Sequence, residues 1–303
     1  MNQRTLAIVA AIGATTIYGI NHTVAKGVMP DLVGPFGFIM LRVTGAAALF
    51  WGISVFGPKE KIHPKDYLRL LLCAVLGMGF NMLVFFKGLS LSTPINSSVL
   101  VTTTPIIVLI LSALFIKEHI GQKKILGILI GLLGALGLIL FGAETRQDAP
   151  NIPLGNILIL MNSVFYGSYL IAVKQLLSKY HPFTFMKWLF TLGVFICLPF
   201  GYREFTAIDW SLLPTQALWS IAFVIIGTTF CTYLFNIYAL TRLKASTLSS
   251  FVYVQPLFGI LFAIGTGQDQ ITLTKVIAAC LVLLGVYLAS RKPKKRGAEQ
   301  IKA

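Results

Sequence analysis

Long charge-free runs of apolar residues dominate the sequence and predict helices that cross a membrane. A bilayer core of about 30 Å needs roughly 20 apolar residues in helical form, and ten stretches have about that length. These stretches are separated by short segments that are rich in charged residues, glycine and proline. The predicted spans are Thr5 to Ala25, Leu32 to Phe56, Leu70 to Phe86, Pro94 to Ile116, Ile125 to Gly142, Leu154 to Val173, Phe183 to Gly201, Leu218 to Leu240, Ala245 to Gly267 and Ile271 to Ser290.

Composition supports the same class of protein. Of the 303 residues, 56% are hydrophobic and 12% are charged, and the mean hydropathy is +0.82. Soluble domains have roughly 25% charged residues. The first run follows Arg4 without a small-residue cleavage site, so we predict a retained helix and not a removed signal. The cysteines fall inside apolar runs without metal or redox spacing, and we interpret them as core residues.

The distribution of basic residues predicts the orientation. If the N-terminus is inside, eighteen lysine and arginine residues face the cytoplasm and five face the opposite side, with Arg42 and Lys187 left inside spans. This bias places both termini in the cytoplasm and requires an even number of spans. The net charge of +15 fits this topology and attraction to anionic lipid headgroups, so we predict a bilayer partner and no nucleic-acid partner.

Part of the first span recurs in the sixth. The stretch Ile17–Lys26 reappears, reworked, at Phe165–Lys174, with a constant offset of 148 residues. The recurring residues are Tyr18, Gly19 and Lys26, which correspond to Tyr166, Gly167 and Lys174. This recurrence indicates a duplicated membrane protein.

A longer repeat extends the duplication to both halves. Residues 88–138 align without a gap on residues 239–289 at an offset of 151, which pairs Pro105 with Pro256. Because each half holds five spans, the second half must cross the membrane in the opposite direction. We therefore predict an all-α integral membrane fold of ten transmembrane helices arranged as two inverted five-helix repeats. The predicted parts are a first repeat at 1–143, a periplasmic linker at 144–153, a second repeat at 154–290 and a basic cytoplasmic tail at 291–303.

The order of these features resembles the drug/metabolite transporter superfamily and, within it, the EamA-type ten-helix permeases. The resemblance covers essentially the whole chain. It rests on Tyr18-Gly19 with Lys26, on Arg42, on the run Ala113–Glu118 followed by Gly127 and Gly134, and on Pro105 with Pro256. The chain departs from the family at Tyr18 and Tyr166, where tryptophan is usual, and at Asp269, where glutamate is usual. The resemblance implies export or exchange of small polar metabolites, such as amino acids, across the bacterial inner membrane by alternating access.

Polar residues in the outer half of the first span mark a candidate site. Asn21 and His22 lie deep in the span, and His22 and Lys26 are one helical turn apart and can face the same side. Such a cluster is costly if it faces lipid, so it either lines a cavity or, for Lys26, reaches the outer interface. Inverted topology puts Lys26 and Lys174 near opposite faces, and we predict that they are helix-end anchors or gates.

Arg42 lies about ten residues into the second predicted span and is too deep to reach the interface easily. It must face protein or water. It could bind a substrate carboxylate through a bidentate fork, or it could pair with carbonyl groups at a helix end. Both interpretations remain open from the sequence.

Equivalent prolines in the fourth and ninth spans predict interrupted helices beside a binding site. Pro105 follows three threonines and frees a backbone carbonyl one turn earlier, which a threonine hydroxyl or water can satisfy. A paired interruption points to a site between the repeats, although hydroxyl residues also serve plain helix packing. The predicted substrate-binding residues are Tyr18, Asn21, His22, Arg42, Asn81, Asn96, Thr103, Thr104, Tyr166, Tyr169, Asn236, Tyr253 and Gln255, with Pro105 and Pro256 as helix breaks.

The chemistry of the sequence favours transport over catalysis. All ten acidic residues fall in loops, tails or helix ends, so a coupling proton, if there is one, would use His22 or the substrate itself. The chain contains no enzyme motif, and we predict no catalytic residue, metal or cofactor. The lining predicts a secondary transporter for small carboxylate-bearing or zwitterionic metabolites, acting as a monomer or weak homodimer. The alternatives are a passive facilitator or channel for small polar solutes and a membrane-embedded enzyme.

Overall fold

The computed structural model describes residues 3–116, 121–141, 148–240, 242 and 254–290, and this part of the chain is helical without a β-strand. Its helices are α1 (Gln3–Lys26), α2 (Pro35–Ser54), α3 (Tyr67–Ala74), α4 (Phe80–Leu91), α5 (Pro94–Val101), α6 (Thr104–Ile116), α7 (Gln122–Phe141), α8 (Ile152–Leu177), α9 (Pro182–Thr206), α10 (Thr215–Ala222), α11 (Thr232–Leu240), α12 (Gln255–Gly265) and α13 (Leu273–Ser290). A short 3₁₀ turn, Pro64–Asp66, precedes α3. The π-helical segments Val75–Gly79 and Phe223–Cys231 join α3 to α4 and α10 to α11.

Within the described residues, seven helical stretches are long and apolar enough to cross a membrane, and two shorter apolar helices accompany them. The long stretches are Gln3–Lys26, Pro35–Ser54, Pro64–Leu91, Pro94–Leu111, Ile152–Val173, Pro182–Thr206 and Thr215–Asn236, and the short ones are Gln255–Gly265 and Leu273–Leu288. Helices satisfy their own backbone hydrogen bonds, which the hydrocarbon core demands. The fold is that of a multi-pass membrane protein.

Several helices extend beyond the apolar runs that predict them. Helix α9 continues past Gly201 to Thr206, and α4 continues past Phe86 to Leu91. The prediction ends at the first charged residues, whereas a helix can continue through the headgroup region, where charges remain solvated. Residues 144–147 of the predicted linker, the start of the ninth predicted span and the predicted tail at 291–303 lie outside the described residues.

Two helix pairs, α2 with α9 and α7 with α13, form the most extensive contacts. Helix α1 packs on α11 and α12, while α8 packs on α4 and on both α5 and α6. The main core lies around α2, α4 and α9, where the fully buried side chains include Phe50, Phe86 and Phe190. Leucines on the outer side of α7, such as Leu133 at 62% exposed, have no protein cover. That surface is available to lipid.

The contact between α7 and α13 depends on two facing glycines. A Cβ on Gly285 would lie 2.4 Å from the Gly131 nitrogen and 2.6 Å from the Gly127 carbonyl oxygen. These are backbone atoms that no rotamer change can move. We expect Gly285→Ala to separate the helices and to lower the free energy of unfolding by about 1–3 kcal/mol. Thermal unfolding in detergent measures this loss.

Gly137 on α7 is the matched control for that prediction. No atom lies within 4 Å of a Cβ placed there, so Gly137→Ala meets nothing and gains helix propensity of up to about 1 kcal/mol. Equal effects of the two substitutions would show that the close approach of α7 and α13 does not limit stability.

Two carboxylates connect α2 and α9, one at the start of α2 and the other just before the start of α9. The Oε2 atom of Glu204, in the last turn of α9, accepts the backbone N–H groups of Phe36 and Gly37 at 2.7 and 2.9 Å. Glu60, in the segment after α2, accepts the backbone N–H of His181 at 2.8 Å just before α9 begins. The first N–H groups of a helix lack backbone partners and attract negative charge. The N-terminus of α2 is therefore capped by a carboxylate from α9, and that of α9 by a carboxylate from the segment after α2.

A buried ion pair links the segment before α13 to the start of α5. The Lys275 Nζ atom lies 2.7 Å from Asp269 Oδ1, and their side chains are 9% and 0% exposed. The other carboxylate oxygen of Asp269 accepts the backbone N–H of Ile95 at 3.0 Å. Lys275 also donates to the carbonyl of Gln270 at 2.9 Å. Asp269, the acid that stands where glutamate is usual, therefore connects α13 to the start of α5.

Candidate functional site

Arg42 is a buried cation in the middle of α2, with 8% of its surface exposed. Its Nε atom donates to the hydroxyl of Thr229 at 2.9 Å, and its Cζ atom lies 5.4 Å from the centroid of the Phe86 ring. Among the described residues it forms no salt bridge, and its two terminal nitrogens have no hydrogen-bond acceptor. Because an intramembrane cation must be compensated, these nitrogens are suited to bind an anion.

Two tyrosines lie near the arginine, and two more lie near Tyr18. The Tyr18 hydroxyl interacts with the Thr232 side chain and lies within electrostatic reach of Arg42, as does Tyr233. On α8, the rings of Tyr166 and Tyr169 stack with centroids 5.9 Å apart, and both lie within electrostatic reach of Tyr18.

Tyr166 is the most exposed member of this cluster. Tyr166 is 38% exposed, although Asn162 and Tyr169, one turn before and after it on α8, are only 8% and 4% exposed. Residues one turn apart share a helix face, so Tyr166 lies at the boundary between the buried side of α8 and its exposed side, where Leu170 is 37% exposed. In the described part of the chain, the hydroxyls of Tyr166, Tyr169 and Tyr233 have no hydrogen-bond partner. They are free to bind a polar solute.

A π-helical segment determines how Arg42 is held. In Phe223–Cys231, the Thr229 hydroxyl donates to the Val224 carbonyl at 3.0 Å, five residues earlier, and accepts from Arg42. The adjacent Thr228 is 1% exposed, and its hydroxyl has no partner among the described residues. Segments of π-helix are rare and are frequent at functional sites. This one holds the arginine through Nε and leaves both terminal nitrogens without an acceptor among the described residues.

The second π-helical segment, Val75–Gly79, contacts the tyrosine cluster at Tyr169. A Cβ on Gly77 would come within 2.5 Å of the Tyr169 ring. The absence of a side chain at Gly77 therefore lets α8 bring Tyr169 against this segment. The two π-helical segments therefore contact different residues of the site, one through Thr229 at Arg42 and the other through Gly77 at Tyr169.

Helix α1 presents two polar groups with different surroundings. The Nδ1 atom of His22 lies 2.8 Å from the Ser97 hydroxyl, and its Nε2 atom lies 3.4 Å from the side-chain nitrogen of Gln255. His22 thus connects α1 to α5 and α12. Asn21 is 4% exposed, and its Oδ1 atom has no partner in the described structure. Because Asn21 is one turn from Tyr18, it lies on the tyrosine side of α1.

The fourth predicted span is interrupted between α5 and α6. The Thr104 hydroxyl donates at 2.7 Å to the carbonyl of Val101, the group that Pro105 leaves without its N–H partner. Thr103 donates at 2.7 Å to the Leu100 carbonyl. Thr103 and Thr104 are 0% and 8% exposed. Their hydroxyls satisfy the broken backbone in this conformation.

The asparagine side chains that the sequence predicts as substrate ligands lie at contacts between helices. The side-chain nitrogen of Asn81 donates to the Asn162 carbonyl at 3.2 Å, and that of Asn162 donates to the Asn81 carbonyl at 3.1 Å. This reciprocal pair joins α4 to α8. Asn96 is fully buried and donates to Asn156 Oδ1 at 3.4 Å, while Asn236 is partly buried on α11. Within the described residues, none of these amides forms a hydrogen bond with the arginine.

Lys26 anchors the end of α1. It is 5% exposed, and its ammonium donates to the carbonyls of Leu89 and Ser90 at 3.0 and 2.9 Å and to the Asp148 carbonyl. The last carbonyls of a helix lack backbone partners and attract positive charge. The side chain of Lys174 and all of Tyr253 lie outside the described residues. Pro256 is the second residue of α12.

Three residues of the site escaped the sequence analysis, namely Thr229, Thr232 and Tyr233. They belong to a hydroxyl-rich stretch, Thr228 to Tyr233, inside the apolar eighth predicted span. The cluster of hydroxyl residues in this stretch could have indicated a polar site, but the stretch has no proline and so does not predict an interrupted helix.

The arrangement contains binding groups and no reactive cluster within the described residues. One cation, tyrosine hydroxyls and an unpartnered amide make up the site, and among the described residues no group of three histidine, cysteine or acidic side chains is placed to hold a metal. A multi-pass membrane protein with such an internal polar site has the architecture of a membrane transporter. The sequence profile of the EamA-like transporter family matches residues 5–140 and 153–291. The chain belongs to this family, within the drug/metabolite transporter superfamily.

Similar proteins extend over nearly the same length. An "uncharacterized transporter" of Archaeoglobus fulgidus is 30% identical over 91% of this chain and 96% of its own. The "uncharacterized transporter YdfC" of Bacillus subtilis is 30% identical over 97% of this chain and 94% of its own. A solved crystal structure of a protein with 16% identity superposes with a TM-score of 0.62, covering 94% of this chain and 97% of that one. The structural match shows a shared fold.

Proposed function

We propose that this transporter exports or exchanges small carboxylate-bearing or zwitterionic metabolites, such as amino acids, through the arginine-centred site. The observation that carries the proposal is Arg42, a buried cation with no salt bridge in the described structure and with terminal nitrogens that lack acceptors. A carboxylate matches the geometry of two parallel guanidinium N–H groups. Binding would compensate the charge that the fold leaves uncompensated.

The groups around the arginine suit the rest of a zwitterion. The unpartnered Oδ1 atom of Asn21 lies on the same side of α1 as Tyr18. An amide oxygen and neutral tyrosine hydroxyls can accept hydrogen bonds from a substrate ammonium group. The acidic residues that the structure describes lie in loops or near helix ends. The site therefore favours a carboxylate over a substrate that carries only positive charge.

We further propose that the chain forms ten spans in two inverted repeats that alternate access to this site. Two family matches of similar length support a duplication. Helix contacts recur in exchanged form, since α1 packs on α11 and α12 while α8 packs on α4 and on α5 with α6. The offset of 151 residues carries Val75–Gly79 to 226–230, inside the second π-helical segment. Inverted repeats place a substrate site at their interface.

The proposed setting is the inner membrane of a bacterium, with both termini in the cytoplasm. The support is the excess of lysine and arginine on alternate loops. In this orientation, Ser54 and Pro182 lie at the cytoplasmic end of the bundle, and Lys26 lies near the outer end.

A flux assay in proteoliposomes tests the proposed function. We expect saturable uptake and counterflow of at least one amino acid or monocarboxylate from a panel that also contains organic cations. Transport of organic cations alone would overturn the substrate class. Non-saturable uptake without counterflow would indicate a facilitator or channel, and chemical change of a solute without net transport would indicate an enzyme.

Thr229→Val should weaken substrate binding by loosening Arg42. Valine keeps the shape of threonine but leaves the Nε–H of Arg42 without the acceptor now at 2.9 Å. A hydrogen bond to a charged group is worth about 1.5–3 kcal/mol, so we expect KM for a carboxylate substrate to rise at least about tenfold. The maximal rate should change much less. Thr229→Ser retains the hydroxyl and should restore KM, and an unchanged KM in Thr229→Val would contradict the positioning role.

A further inference from the structure

Lys187 is a cation inside α9 that the central site does not use. It is partly buried, and the adjoining Trp188 is 37% exposed, whereas Met186 and Leu189 on either side are 4% and 0% exposed. Trp51 on α2 is 43% exposed. Lys187, Trp51 and Trp188 therefore lie on the outer surface of the α2–α9 pair, which faces lipid when these helices span a membrane.

The three side chains form a fixed arrangement. The Lys187 ammonium lies 4.7 Å from the centroid of the Trp51 ring, within the range of a cation–π interaction. The Trp51 indole N–H donates to the Thr191 hydroxyl at 2.9 Å, and the Trp188 ring contacts Trp51 edge-on with centroids 5.5 Å apart. The ammonium is thus positioned by a tryptophan that is itself held by two neighbours.

The depth of this cluster matches the boundary between headgroups and hydrocarbon. Trp51 lies in the last turn of α2, and Lys187 lies in the second turn of α9. At about 1.5 Å per residue, both are within about 10 Å of their helix ends. The polar headgroup layer occupies this zone, and tryptophan and lysine side chains accumulate there. A lipid phosphate would come within reach of the ammonium.

The charge of Lys187 is not offset within the described part of the protein. No carboxylate in that part forms a salt bridge with it. The same end of the bundle has further basic residues at Lys59, Lys61 and Lys65 in the segment after α2. This end therefore attracts anionic lipid, and Lys187 is a cation on the outer surface of the α2–α9 pair.

We propose that Lys187, Trp51 and Trp188 form a binding site for the phosphodiester headgroup of an anionic glycerophospholipid. The ammonium pairs with the phosphate, while the two indole rings pack against the glycerol and upper acyl region. Lys187 contributes charge recognition, and the tryptophans fix its position. The site is separate from Arg42 and does not depend on which solute the protein transports.

Fluorescence quenching by brominated lipids tests this site directly. The chain has four tryptophans, and replacing Trp210 and Trp219 with phenylalanine leaves only Trp51 and Trp188. The protein is reconstituted in phosphatidylcholine vesicles that contain either brominated phosphatidylglycerol or brominated phosphatidylcholine. We expect phosphatidylglycerol to quench with about fivefold higher relative affinity, the size expected for one basic residue at the surface.

Substitutions at Lys187 decide whether this residue is responsible. Lys187→Gln should reduce the preference to near one, while Lys187→Arg should retain it. Lys65→Gln, a change at an exposed loop lysine, should also leave it intact. Equal affinity for the two lipids before any change at Lys187, or a preference that survives Lys187→Gln, would overturn the proposal. Thermal unfolding of each variant separates a lost site from a lost fold.

Discussion

Arg42→Gln should reduce the apparent affinity for carboxylate substrates by about a hundredfold. The terminal nitrogens of Arg42 have no acceptor in the described structure, so a bound carboxylate would supply their charge-assisted hydrogen bonds. Losing an ionic contact in a low-dielectric site costs about 2–5 kcal/mol, and each 1.4 kcal/mol corresponds to a factor of about ten. Counterflow in proteoliposomes at graded substrate concentrations measures the change.

The fold should tolerate this substitution, which makes the result interpretable. Arg42 is 8% exposed and forms no salt bridge among the described residues, so glutamine removes an uncompensated charge without leaving another behind. Glutamine can still donate toward Thr229. We therefore expect unfolding in detergent at the same temperature as the original protein, or higher. Loss of the fold would assign Arg42 a structural role, and unchanged transport would contradict its role in binding.

Arg42→Lys is the charge-conserving comparison. Lysine keeps the positive charge but cannot provide two parallel N–H groups or the Nε–H that Thr229 accepts. An intermediate affinity is expected if both charge and geometry contribute. Affinity equal to that of Arg42→Gln would show that the guanidinium geometry carries most of the recognition.

Much of the outer architecture could be predicted from the sequence because the bilayer imposes it. Membrane spans need long apolar helices, and Arg42 attracts notice because an intramembrane charge is rare and costly. The correspondence of Tyr18 and Tyr166 follows from the repeat, and the structure brings both tyrosines to one cluster. The apolar helices and Arg42 are thus visible because the bilayer constrains them, whereas the two tyrosines are visible because of the duplication.

The contacts that complete the site could not be predicted in the same way. A π-helical segment adds one residue to a helical turn and leaves no mark in hydropathy, so the direction of Thr229 toward Arg42 is visible only in three dimensions. Lys26 illustrates the same limit, because its acceptors at Leu89 and Ser90 are more than sixty residues away. The sequence identified Lys26 as a possible anchor but could not identify what it holds.

His22 and the threonines near Pro105 show why polar residues in spans are ambiguous. The sequence places His22 and Thr104 among candidate substrate ligands, and the structure shows that each already has a protein partner. Polar groups inside a membrane must be satisfied, whether by substrate or by the fold. Only the distances distinguish the two outcomes, and they direct attention to Arg42 and Asn21.

Asp269→Ala should cause the largest loss of stability of any single change considered. It would leave the Lys275 ammonium, 9% exposed, without its carboxylate, and it would also remove the acceptor of the Ile95 N–H at the start of α5. Removing one partner of a buried ion pair typically costs about 3–5 kcal/mol because the remaining charge is uncompensated. Denaturant unfolding in detergent micelles measures the loss.

Two further variants separate burial from charge pairing as the cause. Adding Lys275→Met to Asp269→Ala removes the stranded ammonium, so the double variant should recover much of the lost stability, because a buried pair can often be replaced by apolar residues at little cost. Lys179→Gln breaks the other described ion pair, between Lys179 and Asp66, in which the lysine is 51% exposed. Exposed pairs contribute little, so this variant should unfold almost as the original protein does. If it instead loses as much stability as Asp269→Ala, then burial is not what makes the Asp269–Lys275 pair important.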